Sequence, residues 1–158
     1  MEISVRLARL DDSPTICIIL RRSITEVCTK DHKNNPDIIS AWTKNKTIEN
    51  VNSWLLNPDN YSFISSVNGI ESGFGLMSSS GEILLCYVLP EALHVGVGSI
   101  LLNSMIETAK NIGVQKVTVD STQTAKGFYE RNGFLQSCPS KSEFGVICSP
   151  LELRLNID

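Results

Sequence analysis

An α/β fold is what this chain predicts, and three observations carry the prediction. Apolar residues recur at helical spacing after Pro14 and again after Gly96; the middle, from Tyr61 to Leu89, breaks into short β-rich runs parted by turns; and a further strand–helix–strand pattern follows Gly113. At 158 residues with 42% apolar side chains the chain suits one well-formed core, so residues 1–158 read as a single domain.

The first strand is the alternating start Met1-Glu2-Ile3-Ser4-Val5-Arg6. Asp11-Asp12-Ser13-Pro14 then supplies a cap and a helix-starting proline, with Ile16, Ile19, Leu20 and Ile24 on one face up to about Cys28. The polar run Thr29 to Pro36 interrupts this pattern. Shorter helices are predicted through Ile38 to Trp42 and through Ile48 to Leu56, the second capped by Thr47. Strands at Tyr61 to Val67, Ser72 to Met77 and Ile83 to Leu89, with turns at Asn68-Gly69 and Ser80-Gly81, form an antiparallel meander. After Gly96-Val97-Gly98 a helix places Ile100, Leu101, Leu102, Met105, Ile106 and Ala109 inward and stops at Gly113. A strand at Val114 to Asp120, a helix from Thr122 to Arg131, a strand at Phe134 to Cys138 and a last strand at Val146 to Leu155 complete the chain.

Composition removes several classes of function. The 17 acidic side chains outnumber the 14 basic ones, and no basic run exceeds Arg21-Arg22, which argues against a nucleic-acid partner. No apolar stretch approaches the roughly 18 to 20 residues of a membrane span, and the charged, alternating start is unlike a secretory signal. A cytoplasmic protein without a membrane partner is expected. The five cysteines are scattered, with neither CxxC spacing nor a histidine at ligand spacing; they read as reduced thiols, and no metal site is expected.

The sharpest local signal is Tyr87-Val88-Leu89-Pro90-Glu91-Ala92-Leu93-His94-Val95-Gly96-Val97-Gly98-Ser99, a strand that ends in proline and re-enters a helix through two glycines. Unpaired N–H groups at a helix N-terminus bind anions, and glycine lets a phosphate approach the backbone. A plain strand-to-helix turn would give the same residues. Ser99-Ile100 stands where a P-loop needs lysine, and Leu101 where a dinucleotide fingerprint needs its third glycine.

These residues resemble the GNAT superfamily of acetyl-CoA-dependent N-acetyltransferases, whose cofactor motif is Arg/Gln-x-x-Gly-x-Gly/Ala after a strand often ending Val-x-Pro. The resemblance spans nearly the whole chain. It includes Val88-Leu89-Pro90, Gly96-Val97-Gly98, the following apolar helix, the strand to Asp120, and Ala125-Lys126-Gly127-Phe128-Tyr129-Glu130-Arg131-Asn132-Gly133-Phe134, which looks like the family's A-x-x-F-Y-x-x-x-G-F signature. It implies a mixed, mostly antiparallel central sheet of about seven strands with helices on both faces. One departure stands out: Leu93 occupies the motif's Arg/Gln position and Val95 its middle position, often basic in the family, so His94 is the one side chain of the turn that can add positive charge. This keeps a non-catalytic acyl-CoA-binding regulatory or sensor module as the alternative to an enzyme.

The resemblance also assigns roles. Glu82 opens the strand where family members with a dedicated base carry glutamate, and strand alternation puts it on one face with Leu84, Cys86 and Val88. The Val88 N–H is expected to polarise the thioester carbonyl, and the Tyr129 hydroxyl to protonate the leaving thiolate. Acetyl-CoA is expected against Val88, Leu89, His94, Val95, Gly96, Val97, Gly98, Ser99, Ser121, Ala125, Phe128 and Tyr129. Ser23, Glu26, Cys28, Asp31, His32 and Trp42 are the candidates for binding the acceptor, a small-molecule amine or a protein or peptide amine. None of the cysteines has an adjacent base in sequence, so direct transfer is expected over an acyl-cysteine route. Dimerisation is common in the superfamily, so the resemblance leaves a homodimer open, and no residue pattern in this sequence calls for one.

Overall fold

The computed structural model describes residues 1–156. Its sheet has eight strands: β1 (Ile3–Leu7), β2 (Asn60–Val67), β3 (Ile70–Ser78), β4 (Glu82–Val88), β5 (Lys116–Thr122), β6 (Leu135–Gln136), β7 (Lys141–Glu143) and β8 (Val146–Arg154). They run in the order β1-β2-β3-β4-β5-β8-β6, with β7 also on β8. Every pairing is antiparallel except β4 with β5, so the sheet is mixed as expected. The extra strand is β7, in a stretch with no alternating pattern to announce it.

Among the described residues six α-helices flank the sheet: α1 (Ser13–Val27), α2 (Thr29–His32), α3 (Pro36–Thr43), α4 (Ile48–Leu56), α5 (Val97–Ile112) and α6 (Gln123–Arg131). On one face α5 buries Leu101, Leu102, Met105 and Ala109 against Phe63, Met77, Ile83, Val117 and Val119, and α6 adds Tyr129. On the other, α1 buries Ile16, Cys17, Ile19 and Leu20 against Ile64, Phe74 and Leu76. Leu101, Met105 and Ala109 follow the helical spacing that predicts α5, and its arrest at Gly113 lets the left-handed glycine close the last turn on Ala109 and Lys110 carbonyls.

Three local expectations need correction. The carboxylate of Asp12 does not cap α1; it accepts from the Arg6 guanidinium at 2.8 and 2.9 Å and from the Arg9 N–H at 2.6 Å, tying β1 to the helix start. The polar run after Val27 is not wholly irregular, because Thr29–His32 forms a further turn of helix before left-handed Lys33 and Asn34. The strand expected at Val114 to Asp120 runs from Lys116 to Thr122, since Val114 and Gln115 belong to the turn after Gly113. By contrast, α4 has the predicted bounds, and the Thr47 hydroxyl caps it by accepting from the Asn50 N–H at 3.2 Å.

Among the described residues no helix is long and apolar enough to cross a membrane, and no three or more His, Cys, Asp or Glu side chains gather to hold a metal ion.

Candidate active site

The site is made by a sheet that stops pairing. β4 and β5 are matched at Glu82↔Thr118 and Ile83↔Val119, and beyond those positions they part. A β-bulge falls at the same place: Ile83 is opposite Met77 and Leu85 opposite Leu76, leaving Leu84 as the extra residue. Past the bulge β4 keeps its partner β3 but has none on the β5 side. Leu89 donates its N–H to the Ser72 carbonyl at 2.8 Å, in register with the Tyr87↔Phe74 pair. Backbone groups alternate sides along a strand, so the N–H and C=O of Val88 and Cys86 point away from β3 into the opening.

A cleft of about 640 Å³ occupies this opening and passes from one face of the sheet to the other. Ser23 and Val27 of α1, with Cys28 at its C-terminal cap, line it on one face; Ala125, Phe128, Tyr129 and Arg131 of α6 line it on the other. Gly96, Gly98 and Ser99 close one end at the start of α5. Gly96 sits at φ 99°, a left-handed conformation that glycine adopts without strain, and its carbonyl accepts the first intrahelical bond, from Ile100 at 3.0 Å. The N–H groups of Val97, Gly98 and Ser99 precede that bond and concentrate the positive end of a sixteen-residue helix. A side chain at Gly98 would lie against Phe128 and Val88, so glycine leaves the approach to these N–H groups open.

Tyr129 is buried, its ring set edge-on to Phe128 at 5.2 Å and to Phe134 at 5.3 Å between centroids. Burial first, then the neighbouring Cys86 and Tyr87, pushes the phenol well above its ordinary value, so it is a proton donor throughout the neutral range. Burial likewise pushes the Cys86 thiol up to about 12, which leaves that cysteine a neutral, poorly nucleophilic wall.

An acetyltransferase (GNAT) domain model matches residues 29–155. The chain belongs to the GNAT acetyltransferase family. An uncharacterised N-acetyltransferase, YafP of Escherichia coli K12, is 27% identical over 140 residues, covering 84% of this chain and 81% of YafP. Among solved structures, a GCN5-related N-acetyltransferase from Rhodopseudomonas palustris superposes with a TM-score of 0.87 at 19% identity, covering 98% of this chain and 97% of that one. The PaiA N-acetyltransferase of Thermoplasma acidophilum, solved with coenzyme A, has a TM-score of 0.81 at 18% identity over 98% of this chain and 100% of its own. YncA of Salmonella typhimurium, solved with acetyl-CoA, has a TM-score of 0.74 at 17% identity over 100% of this chain and 96% of its own.

Within this GNAT domain the sequence candidates separate sharply. Val88, His94, Gly96, Gly98, Ser99, Ala125, Phe128 and Tyr129 line the cleft, as do Ser23 and Cys28. Leu89 and Val97 are instead core side chains, Val95 lies outside the lining, and buried Ser121 gives its hydroxyl hydrogen to the Thr122 carbonyl at 2.8 Å. Any contact of Leu89 or Val97 with a cofactor is left to backbone.

Glu82 does not share a face with Cys86 and Val88. The bulge at Leu84 reverses the alternation: Ile83, Cys86 and Val88 pack on the α5 side, Leu85 and Tyr87 on the α1 side. Glu82 lines a separate groove with Lys116, Thr118 and Glu152. Four acceptor candidates are occupied elsewhere. Asp31 caps α6, accepting from the Gln123 N–H at 2.7 Å, the Thr124 N–H at 3.2 Å and the Thr124 hydroxyl. His32 is fully buried; its Nδ1 accepts from the Asn34 N–H at 3.0 Å, so Nε2 carries the hydrogen given to the Ile24 carbonyl at 2.8 Å. Trp42 is buried edge-on to His32 and beside Phe144. Glu26 pairs with Arg22 at 2.8 Å on the surface, and Arg22 also grips Glu91 at 2.7 and 2.9 Å, fixing the turn before His94 to α1.

Two charged lining residues, Arg131 and Asp120, are not among the sequence candidates. Arg131 lies one turn beyond Phe128, and the spacing Thr124, Phe128, Arg131 marks one helix face. It brings a fixed positive charge to a cleft whose glycine turn has none. Asp120 follows Val119 on β5 and lies at the point where the strands part.

Proposed function

We propose that the protein transfers the acetyl group of acetyl-CoA directly to a primary amine. The observation that carries this reading is the parted β4–β5 pair, whose free Cys86 and Val88 backbone lies between the N-terminus of α5 and the Tyr129 hydroxyl.

The residues fit an acyl-CoA. The N–H groups of Val97, Gly98 and Ser99 would hold the pyrophosphate, with Arg131 and His94 as the charged side chains nearby. The free edge of β4 would pair with the amide-bearing pantetheine arm as a missing strand would. Bound there, the cofactor supplies an activated thioester. The Val88 N–H is a preorganised donor for the carbonyl oxygen as charge develops on it, and Tyr129 donates its hydroxyl proton to the departing sulfur. PaiA solved with coenzyme A and YncA solved with acetyl-CoA support the same cofactor class.

The acceptor enters from the α1 face, past Ser23, Val27 and Cys28. A ribosomal-protein-alanine N-acetyltransferase from Brucella melitensis stands among the structural neighbours at 20% identity and a TM-score of 0.73, so both protein amines and small-molecule amines belong in the test. Leu93 on the cleft wall favours a second reading, an acyl-CoA sensor without turnover. Thiol release from acetyl-CoA against amino acids, polyamines, aminoglycosides and peptides, with thermal protection by coenzyme A in parallel, separates the two. Release stimulated by an amine is expected; protection without release from any amine identifies the sensor, and absence of both removes the cofactor.

A further inference from the structure

We propose that Asp120 is the general base that takes the proton from the acceptor amine, an assignment that rests on the acetyltransferase reading above. Among the described residues it is the only carboxylate that lines the cleft. The last paired positions of the two strands are Ile83 and Val119, so Asp120 is the first β5 residue inside the opening. Val117 and Val119 belong to the α5-side core, and strand alternation turns Asp120 to the α1 face. Tyr129 belongs to the opposite, α5-side face. A proton acceptor and a proton donor therefore flank the opening from its two sides, the acceptor on the face that α1 lines and the donor beside the strand that would hold the thioester.

Asp120 also forms part of the neighbouring groove of about 410 Å³, which it shares with Glu82, Thr118 and Glu152. Its carboxylate is about half exposed (48%), so a proton received in the cleft has a way out to solvent. Lys141 of β7 holds it with Nζ 3.1 Å from Oδ2, and Glu143 stands 4.0 Å from the same Nζ. Cys148 of β8 lies on the same face, and Arg131 of α6 is the cation across the cleft. Among the described residues no second carboxylate in the cleft competes for an arriving ammonium.

The protons balance as follows. The ammonium gives one proton to Asp120, and the freed nitrogen lone pair forms the C–N bond as the C–S bond breaks. Tyr129 protonates the sulfur and is restored by the second proton that leaves nitrogen, while the proton on Asp120 passes to water.

The test is enzyme-dependent thiol release from acetyl-CoA, over the uncatalysed rate, by wild type, Asp120→Asn, Asp120→Glu and Glu82→Gln, with n-butylamine and with hydroxylamine as acceptors. An alkylamine, with a pKa of about 10, is protonated near neutral pH and needs the base; hydroxylamine is already neutral there. Asp120→Asn should lose roughly 100-fold with butylamine near neutral pH yet stay within about threefold of wild type with hydroxylamine. Raising the pH to about 10 should recover most of the butylamine rate, because solution then deprotonates the amine. Asp120→Glu should restore much of the activity, and Glu82→Gln should match wild type on both acceptors. Equal losses of Asp120→Asn on both acceptors at both pH values, or no loss with butylamine, would overturn the assignment. A wild-type protein that releases no thiol with any amine of the panel above would remove the transferase reading and the base with it.

Discussion

Along its β8 edge, β5 is paired from Lys116 through Thr122; along its β4 edge, pairing stops after Thr118 and Val119. The parted neighbour β4 (EILLCYV) is richer in β-forming residues than the fully paired β8 (VICSPLELR), so propensity does not explain the difference. On the open side the bulge at Leu84 and the turn through Pro90 carry β4 away, and the backbone groups thus left without a strand are those that a ligand can use. The comparison teaches that this binding site consists of hydrogen bonds withheld from the sheet. Side chains such as Tyr129 and Asp120 add chemistry to an opening that the backbone makes.

The contrast can be broken by substitutions on either side. The largest effect is expected from Tyr129→Phe, which keeps the buried ring and removes the proton donor: acetyl transfer should fall roughly 100-fold, with coenzyme A affinity nearly unchanged. A wild-type rate would take Tyr129 out of the mechanism. Next comes Gly98→Ala on the open side. The added Cβ meets Phe128 and Val88 at 3.6 Å, an ordinary contact, so the fold should persist. The methyl stands where phosphate approaches α5, and calorimetric titration should show coenzyme A affinity reduced roughly tenfold, about 1.4 kcal/mol.

The closed end should respond in the opposite sense. At Gly81, φ is 89° and a Cβ would lie 2.6 Å from the Lys116 carbonyl oxygen, beside the bond from the Thr118 N–H to the Gly81 carbonyl. Gly81→Ala should cost about 1–3 kcal/mol in denaturant unfolding and leave coenzyme A affinity per folded molecule as it was. The smallest effect belongs to the far edge of the sheet. Hydrogen bonding to Arg6 first, and to the Arg9 N–H, holds the Asp12 carboxyl below its ordinary value. A depressed carboxyl stabilises the fold above its unfolded pKa of about 4 and loses that contribution as the pH falls further. Thermal melts of Asp12→Asn should therefore lack part of the acid-side decline of wild type while the cleft still binds coenzyme A at neutral pH.

Much of this was legible in the chain. The hydrophobic period gave α1 and α5, Thr47 marked the start of α4, and the glycine turn with the Phe128-Tyr129 signature pointed to the cleft. What escaped depends on tertiary contacts. Nothing local in Asp31 or His32 distinguishes an acceptor ligand from a helix cap and a buried strut; Asp31 acquires its role from Gln123 and Thr124, more than ninety positions away. Strict alternation through Leu84 puts Glu82 on the wrong face, and a bulge without glycine or proline leaves no mark in the sequence. Asp120 stood at the end of a predicted strand, but its value depends on where β4 leaves β5, which is a property of two strands together.

The claim that the site is a withheld ladder is tested most directly by amide hydrogen exchange along β4 with and without coenzyme A. Free protein should show slow exchange at Leu89 and Tyr87, whose N–H groups face β3, and fast exchange at Val88 and Cys86; coenzyme A should slow Val88 and Cys86 and leave the other two unchanged. Slow exchange at Val88 in the free protein, or no change there on saturation with coenzyme A, would contradict the account.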